Sequence, residues 1–228
     1  MMNPVAQKTK LPLAVAAYNQ IYEKIIKLDY QPGSSLEEKR LMDELNLGRT
    51  PIREALLRLA GEKMVLSQHG KGFIVRPITF QNIKSTFEML KLLETGVADL
   101  MVRYDLTPFI EGMEAAADSV RAAIENKDVL SMVEANHRFH QHYAKCSFNE
   151  YLIDAVDEVR SEAKRLSYLS YSGELGNGVP LTEHYQSVIR DHRGIIQLVK
   201  EKEVGKLKEV VLEHINAFQK RIVFFMSV

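Results

Sequence analysis

The chain has 228 residues, which is enough for two domains that each bury a core, and 46% of them are hydrophobic and 26% charged. Its only cysteine, Cys146, excludes an internal disulfide framework and fits a reducing compartment, so we expect a cytoplasmic protein. The N-terminal residues lack the apolar segment of a signal peptide, and no stretch is apolar for long enough to span a membrane, so no membrane partner is expected.

The formal net charge is zero, but the charges are divided unevenly along the chain. Residues 1–78 carry 12 Lys and Arg against 8 Asp and Glu, a net charge of +4. The rest of the chain carries 18 against 22, a net charge of −4. A basic N-terminal third followed by an acidic remainder is typical of a DNA-binding head joined to a body that does not bind DNA.

The first 47 residues predict two helices separated by a turn. Apolar residues at helical spacing indicate an amphipathic first helix, namely Val15, Tyr18, Tyr22, Ile25 and Ile26. Pro32-Gly33 is a strong turn signal. After this turn we expect Ser35 to cap a second helix that buries Leu41 and Leu45.

A third helix is predicted within residues 48–59, and its two faces differ. One face is apolar, with side chains three and four residues apart: Ile52, Ala55, Leu56 and Leu59. Arg49 and Arg53 share the opposite face, where two guanidinium groups suit phosphates and guanine edges in a DNA major groove. Two solvated arginines on a surface helix are the alternative. The connection of about three residues after the second helix favours a helix-turn-helix.

Two short apolar runs, at 64–68 and 73–75, flank a Gly-rich turn and indicate a β-hairpin. Three helices followed by a hairpin form a winged helix. The tip carries His69, Gly70 and Lys71 and could enter the DNA minor groove, the alternative being a plain solvated turn. The predicted winged helix-turn-helix domain covers residues 11–76.

The rest of the sequence predicts helices only. Residues 77–79 form a predicted linker, in which Thr79 can cap the following helix. Helical patterns then lie near 79–103, 107–125, 128–146, 149–172, 181–201 and 203–226. Residues 80–228 are therefore expected to form an all-α bundle of about six helices, and the fold class is mainly α.

Histidines mark a candidate site in this bundle. Asn136 and His140 are four residues apart on one predicted helix and can point to the same place, while His192 and His214 lie on two later helices. Three imidazoles and one side-chain oxygen that converge in a bundle core would suit zinc, nickel, copper or iron, and the oxygen also admits manganese. Histidines that lie on the surface or in the core without a metal are the alternative.

The N-terminal pattern resembles the winged-helix domain of GntR-family transcription regulators over residues 15–76. The residues that carry the resemblance are Pro32-Gly33, Leu36, Leu41, the run from Arg49 to Leu56, Leu59 and Gly70-Lys71-Gly72. The resemblance implies DNA contacts from Lys39, Arg49, Thr50, Arg53, His69 and Gly70. The family usually has Ser or Thr before the first arginine, where this chain has Gly48. Because glycine is still an acceptable N-cap, we expect weaker or altered contacts and not a loss of DNA binding.

Residues 80–222 resemble the effector domain called FCD, which is found in the FadR branch of the same family. The residues that carry this likeness are Phe139-His140, Asn149, Leu152, Asp191-His192 and Glu213-His214-Ile215. In that domain a carboxylate and three histidines hold a divalent metal, and a small organic acid often completes the coordination. The resemblance implies that the ligands here are Asn136, His140, His192 and His214. An amide at the position of the usual Asp brings no charge, so metal affinity should fall.

A second departure concerns the first helix of this domain. The FCD domain often has Glu-x-Arg-x-x-Leu-Glu there, whereas this chain has Leu90 at the position of the arginine. Such an arginine could pair with the carboxylate of a ligand. We expect Arg165 to replace it as the anion partner, a surface salt bridge being the alternative. Tyr168 and Tyr171 could line the pocket or pack in the core.

These features predict a ligand-responsive DNA-binding transcription regulator that binds a palindromic operator as a homodimer. A small carboxylate at the metal site would modulate the binding. The first alternative is a metal-dependent enzyme that activates water at the histidines, but no clear general base lies near them and the DNA-binding head would be unexplained. The second alternative is a helical interaction module with incidental histidines. The protein is therefore not expected to be an enzyme.

Overall fold

The computed structural model describes residues 12–68, 72–101, 105–172 and 181–226. The chain divides into two compact units, Met1–Pro77 and Ile78–Val228. Each unit buries a core of its own.

The N-terminal unit is a winged helix-turn-helix, as predicted. Its elements in chain order are α1 (Leu13–Ile26), β1 (Ser35–Leu36), α2 (Glu38–Leu45), α3 (Arg49–Gly61), β2 (Val65–Gln68) and β3 (Gly72–Val75). α1 and α2 both pack against α3. The buried face of α3 consists of the residues that helical spacing predicted, Ile52, Ala55, Leu56 and Leu59.

The strand β1 corrects the prediction for Ser35. Ser35 does not cap α2 but pairs with Ile74 in an antiparallel sheet of strand order β1-β3-β2. This pairing turns the next side chain, Leu36, into the core. The N-cap residue of α2 is Glu37, which makes no side-chain hydrogen bond to the helix. A strand of two residues is too short to show the alternation by which strands are recognised in a sequence.

The wing consists of β2 and β3, which pair from Val65 opposite Val75 to Gln68 opposite Gly72. Gly72 has a φ of 82°, a conformation that L side chains rarely adopt. The predicted DNA contacts at His69 and Gly70 lie outside the described residues.

The described part of the C-terminal unit contains six helices, as predicted: α4 (Phe80–Leu100), α5 (Thr107–Glu125), α6 (Val129–Lys145), α7 (Glu150–Ser172), α8 (Leu181–Glu201) and α9 (Val204–Met226). Thr79 caps α4, because its side-chain oxygen accepts a hydrogen bond from Asn82 N at 3.1 Å. Asp128 caps α6 in the same way through Ser131 N at 3.0 Å. These caps satisfy backbone donors at the two helix starts.

The helices α4 to α9 all contribute side chains to one apolar core. α4 and α9 run antiparallel, since Lys91 meets Gln219 while Asp99 meets Lys208. α6 packs against α5 and α7, and α8 packs against α5 and α9. Among the described residues, no helix is long and apolar enough to cross a membrane.

The contact between α5 and α6 gives a test of this packing. A methyl group on Gly112 of α5 would lie 2.2 to 2.6 Å from three ring atoms of His142 on α6. Gly112→Ala must therefore displace the whole ring. We expect the free energy of unfolding, measured by urea denaturation, to fall by about 1–3 kcal/mol.

Gly96→Ala on α4 is the matched control. Outside the backbone of α4 itself, no atom of the described residues lies within 4 Å of the added methyl group, and alanine favours a helix interior over glycine by about 0.5–1 kcal/mol. We expect this variant to be at least as stable as the wild type. If Gly112→Ala is equally stable, the packing of α5 on α6 is wrong.

Candidate DNA-binding surface and metal centre

The start of α3 presents charged side chains to solvent. The helix begins at Arg49, directly after Gly48, and its first turn has no side-chain cap. Arg49, Thr50 and Arg53 are exposed, while the opposite face of α3 is buried. Lys39 is exposed on α2. The predicted DNA-contacting residues of the helix-turn-helix are thus all accessible.

An ion pair orients Arg49. Its Nε donates a hydrogen bond to Glu38 Oε2 at 2.8 Å, and the arginine side chain is 72% exposed against 19% for the glutamate. Exposed ion pairs contribute little to stability, so the main effect of this one is to orient the Arg49 side chain. The guanidinium keeps its terminal N–H groups for another acceptor. The contact joins two helices across the turn, which helical spacing does not reveal.

Three of the four predicted metal ligands form a buried cluster, here called the histidine cluster: His140 of α6, His192 of α8 and His214 of α9. One ring nitrogen of each lies within 4.8 Å of the others. His140 and His192 have no exposed surface, and His214 is 7% exposed. The ring of Phe139 stacks on His192 with 3.8 Å between centroids and fixes its plane. Three imidazoles from three helices can therefore reach one ion.

The chemistry of the histidine cluster fits a divalent metal. Burial lowers the pKa of His140 to about 3 and the pKa of His192 well below its ordinary value. Both rings are therefore neutral at neutral pH, which is the form that binds metal. Nε2 of His140 and both ring nitrogens of His192 are buried without a hydrogen-bond partner among the described residues. Buried polar atoms seldom remain without a partner, and an ion would supply one.

Two carboxylates lie beside imidazoles of the histidine cluster. Glu94 of α4 is buried, with Oε2 3.2 Å from His140 Nδ1, and its other oxygen accepts a hydrogen bond from Arg160 of α7. Burial by itself raises the pKa of Glu94, but the attraction and hydrogen bonding of Arg160 and His140 together outweigh this effect and keep the pKa well below its usual range. Asp191 Oδ2 lies 3.1 Å from His214 Nδ1. Carboxylates in such positions fix the tautomer and orientation of metal-binding histidines.

Sequence reasoning missed the roles of Glu94, Asp191 and Arg160. For the two acids the sequence holds a signal, because Glu94 is the last residue of the segment that corresponds to the family's Glu-x-Arg-x-x-Leu-Glu motif and Asp191 directly precedes His192. For Arg160 there was none, because its partner lies 66 residues away on another helix.

A small cavity adjoins the histidine cluster. Its volume is about 10 Å³, room for about one water molecule. Asn136, the fourth predicted ligand, is partly buried and lines the cavity together with His214 and Asp191. The arginine in the wall is Arg160.

Arg165 and Leu90, the two positions considered for binding the carboxylate of a ligand, are both buried. Arg165, the predicted partner, is 1% exposed on α7, which excludes a surface salt bridge. Among the described residues it is not part of the cavity wall. Leu90, at the position of the family's arginine, packs in the apolar core with no exposed surface.

Comparisons with known families agree with this architecture. The model of the bacterial regulatory proteins of the gntR family matches residues 13–75, and the FCD domain model matches residues 85–217. The chain belongs to the GntR family and carries an FCD effector domain. It is therefore a DNA-binding transcription regulator and not an enzyme.

Individual relatives lead to the same class. The HTH-type transcriptional regulator YdhC of Bacillus subtilis is 23% identical over 209 residues, covering 90% of this chain and 88% of the relative. The gluconate operon transcriptional repressor of the same organism is 21% identical over 225 residues, covering 97% and 90%. A GntR transcriptional regulator from Rhodococcus sp. RHA1 shares the fold, with a TM-score of 0.71 at 17% identity over 92% of this chain and 97% of that chain.

Metal content tests the histidine cluster. After incubation with Zn²⁺ and gel filtration, we expect the wild type to retain zinc and His192→Ala to lose it, because only two imidazoles and the neutral amide oxygen of Asn136 would remain. Mass spectrometry of the metal per chain measures this directly. The rise in Tm on addition of Zn²⁺ is a second readout, which should vanish in the variant.

His137→Gln is the matched control for this experiment. His137 is also a buried imidazole of α6, but it lies 3.1 Å from Asp157 and outside the histidine cluster. This variant should bind zinc like the wild type. Equal zinc content in the wild type and His192→Ala would refute the ligand assignment.

Proposed function

We propose that the protein is a cytoplasmic, ligand-responsive regulator of the FadR branch that binds a palindromic operator as a homodimer. A divalent metal (zinc, nickel or manganese) held by Asn136, His140, His192 and His214, together with a small carboxylate effector, modulates the binding. The observation that carries the proposal is the buried histidine cluster in the effector domain of a DNA-binding regulator.

The N-terminal winged helix-turn-helix unit supports binding to a DNA operator. Arg49 and Arg53 project from the start of α3, the position from which a recognition helix contacts base edges. Guanidinium groups form bidentate hydrogen bonds with phosphates and with O6 and N7 of guanine. A protein dimer with a two-fold axis matches two half-sites related by the same symmetry, which supports a palindrome.

The small size of the cavity beside the histidine cluster supports a conformational response to a small carboxylate effector. The cavity has room for about one water molecule, so a carboxylate with its carbon skeleton must displace side chains that line it. Close-packed interiors transmit such displacements, and an effector acts only through different affinities for two arrangements of the protein. One relative is a repressor of a gluconate operon, which supports a small organic acid as the class of effector.

Gel-shift assays with the DNA upstream of the protein's own gene test the proposal. We expect specific retardation by the wild type and a loss of about 30-fold or more in affinity for Arg49→Ala combined with Arg53→Ala, since each guanine contact contributes about 1–3 kcal/mol. Arg121→Ala combined with Arg138→Ala removes the same charge from exposed positions of the bundle and should leave binding unchanged.

Three outcomes of this assay would each remove a part of the proposal. No specific retardation, with or without metal and a panel of small carboxylic acids, contradicts operator binding. Retardation that no acid alters in the presence of metal contradicts the effector. Equal affinity for one half-site and for the full palindrome contradicts binding as a homodimer.

The contact between Glu38 and Arg49 gives a separate prediction. Glu38→Gln and Glu37→Gln each remove one negative charge near the DNA, so both should raise affinity for non-specific DNA by a similar factor. Only Glu38→Gln releases the Arg49 guanidinium, and we expect it alone to lower the ratio of specific to non-specific affinity, by about 3-fold to 10-fold. Fluorescence anisotropy with operator and scrambled duplexes measures the ratio. Equal ratios for the two variants would show that Glu38 acts only through its charge.

A further inference from the structure

We propose that Arg160 is the anchor for the effector's carboxylate, and that the metal and a small monocarboxylate each bind tightly only when the other is present. This inference rests on the proposed function of the histidine cluster and adds to it a ligand class, an anchoring residue and a coupling between the two ligands.

The first observation is the state of the Arg160 guanidinium. Arg160 is 4% exposed and lines the same cavity as Asn136 and His214. Its Nε donates a hydrogen bond to Glu94, but Nη2 is buried with no hydrogen-bond partner among the described residues. A buried N–H group of a cation without an acceptor is costly. A carboxylate oxygen in the cavity would be that acceptor, in a short charge-assisted hydrogen bond.

The other arginines near the cavity are less suited to this role. Arg221 of α9 donates to the backbone oxygen of Ser170 and faces the ring of Tyr171. Its Nε is also buried without a hydrogen-bond partner among the described residues, so Arg221 differs from Arg160 in its position relative to the cavity. Neither Arg221 nor Arg165 belongs to the cavity wall in the described part of the chain. The side chain at position 90 of α4 is a leucine in the apolar core. The positive charge at the cavity is therefore supplied by Arg160 of α7, since α4 has a leucine at position 90.

The second observation is the charge of the cavity wall. The charges of Arg160 and Glu94 cancel, the imidazoles of a metal site are neutral, and Asn136 carries no charge. Asp191 leaves a single negative charge. A divalent ion therefore gives the site a net charge of +1, which a monocarboxylate neutralises. With an aspartate at position 136 the metal alone would bring the charge to zero.

This balance makes the two ligands interdependent. The ion draws the carboxylate to a site that otherwise carries a negative charge, and the carboxylate removes the excess positive charge that the ion leaves. Linkage requires both effects to have the same size. In the wild type we expect a coupling of about tenfold or more, within the range of about 5-fold to 150-fold found between coupled sites.

Calorimetric titration tests the coupling with Zn²⁺ and acetate as probes, using the full-length protein. In the wild type, saturating acetate should tighten the Kd for Zn²⁺ about tenfold, and saturating Zn²⁺ should tighten the Kd for acetate by the same factor. Asn136→Asp should bind Zn²⁺ more tightly without acetate, and its coupling should fall to about 3-fold or less, because the added carboxylate replaces the one supplied by the acid.

Arg160→Lys tests the anchor. Lysine keeps the charge opposite Glu94 but lacks the planar fork, so we expect the variant to retain Zn²⁺ and to lose about tenfold or more in affinity for acetate. Arg221→Lys makes the same substitution on α9 and should leave both affinities unchanged. Circular dichroism without ligands verifies the fold, and if Arg160→Lys does not fold, Asn136→Asp still decides the coupling.

The outcomes separate this inference from the proposed function. If the wild type does not bind Zn²⁺, the metal centre and this inference both fail. If it binds Zn²⁺ with the same Kd in the presence and absence of acetate, only this inference fails. If Arg160→Lys and Arg221→Lys lose acetate affinity equally, Arg160 is not the anchor.

Discussion

The buried contact among Glu94, Arg160 and His140 is the constraint on which the effector domain depends. Glu94 is 1% exposed, so its charge is kept out of water by α4, α6 and α7 together. A buried ion pair loses about as much through desolvation as it gains through attraction, so apolar side chains would stabilise the same space at least as well. What the pair does provide is a fixed carboxylate that holds the imidazole of His140. Loss of either partner would leave an uncompensated charge in the core.

The three histidines of the cluster come from three different helices, which supports the regulatory role proposed for it. His140, His192 and His214 come from α6, α8 and α9, and the two carboxylates beside them come from α4 and α8. An ion bound among them would therefore constrain the relative positions of several helices at once. Because the surrounding core is close-packed, a shift of one helix cannot be absorbed locally. This is the property that a ligand needs if it is to favour one arrangement of the domain over another.

Helical spacing predicted most of the fold, and contacts between distant helices account for what it missed. The apolar faces repeat over many residues, so the buried side of α3 and the six helices of the bundle could be predicted from the sequence. Arg160 and Arg165 could not be distinguished, although they are five residues apart on α7. At 3.6 residues per turn this spacing separates them by about 140° around the helix, so the wall of the cavity can include one without the other. Which one it includes depends on how α7 packs.

The two departures from the FCD pattern compensate each other in charge. Asn136 removes a negative charge from the proposed metal ligands, and Leu90 removes a positive charge from the proposed anion site. The sum over the site is therefore the same as with an aspartate and an arginine at these positions. With a divalent ion bound, either arrangement leaves one positive charge for an acid. The difference lies in where the charges are: Leu90 extends the apolar core of α4, and the buried cation nearest the cavity is Arg160 of α7. Because that guanidinium also holds Glu94, and Glu94 holds His140, the group proposed to bind the acid is connected directly to the groups proposed to bind the metal.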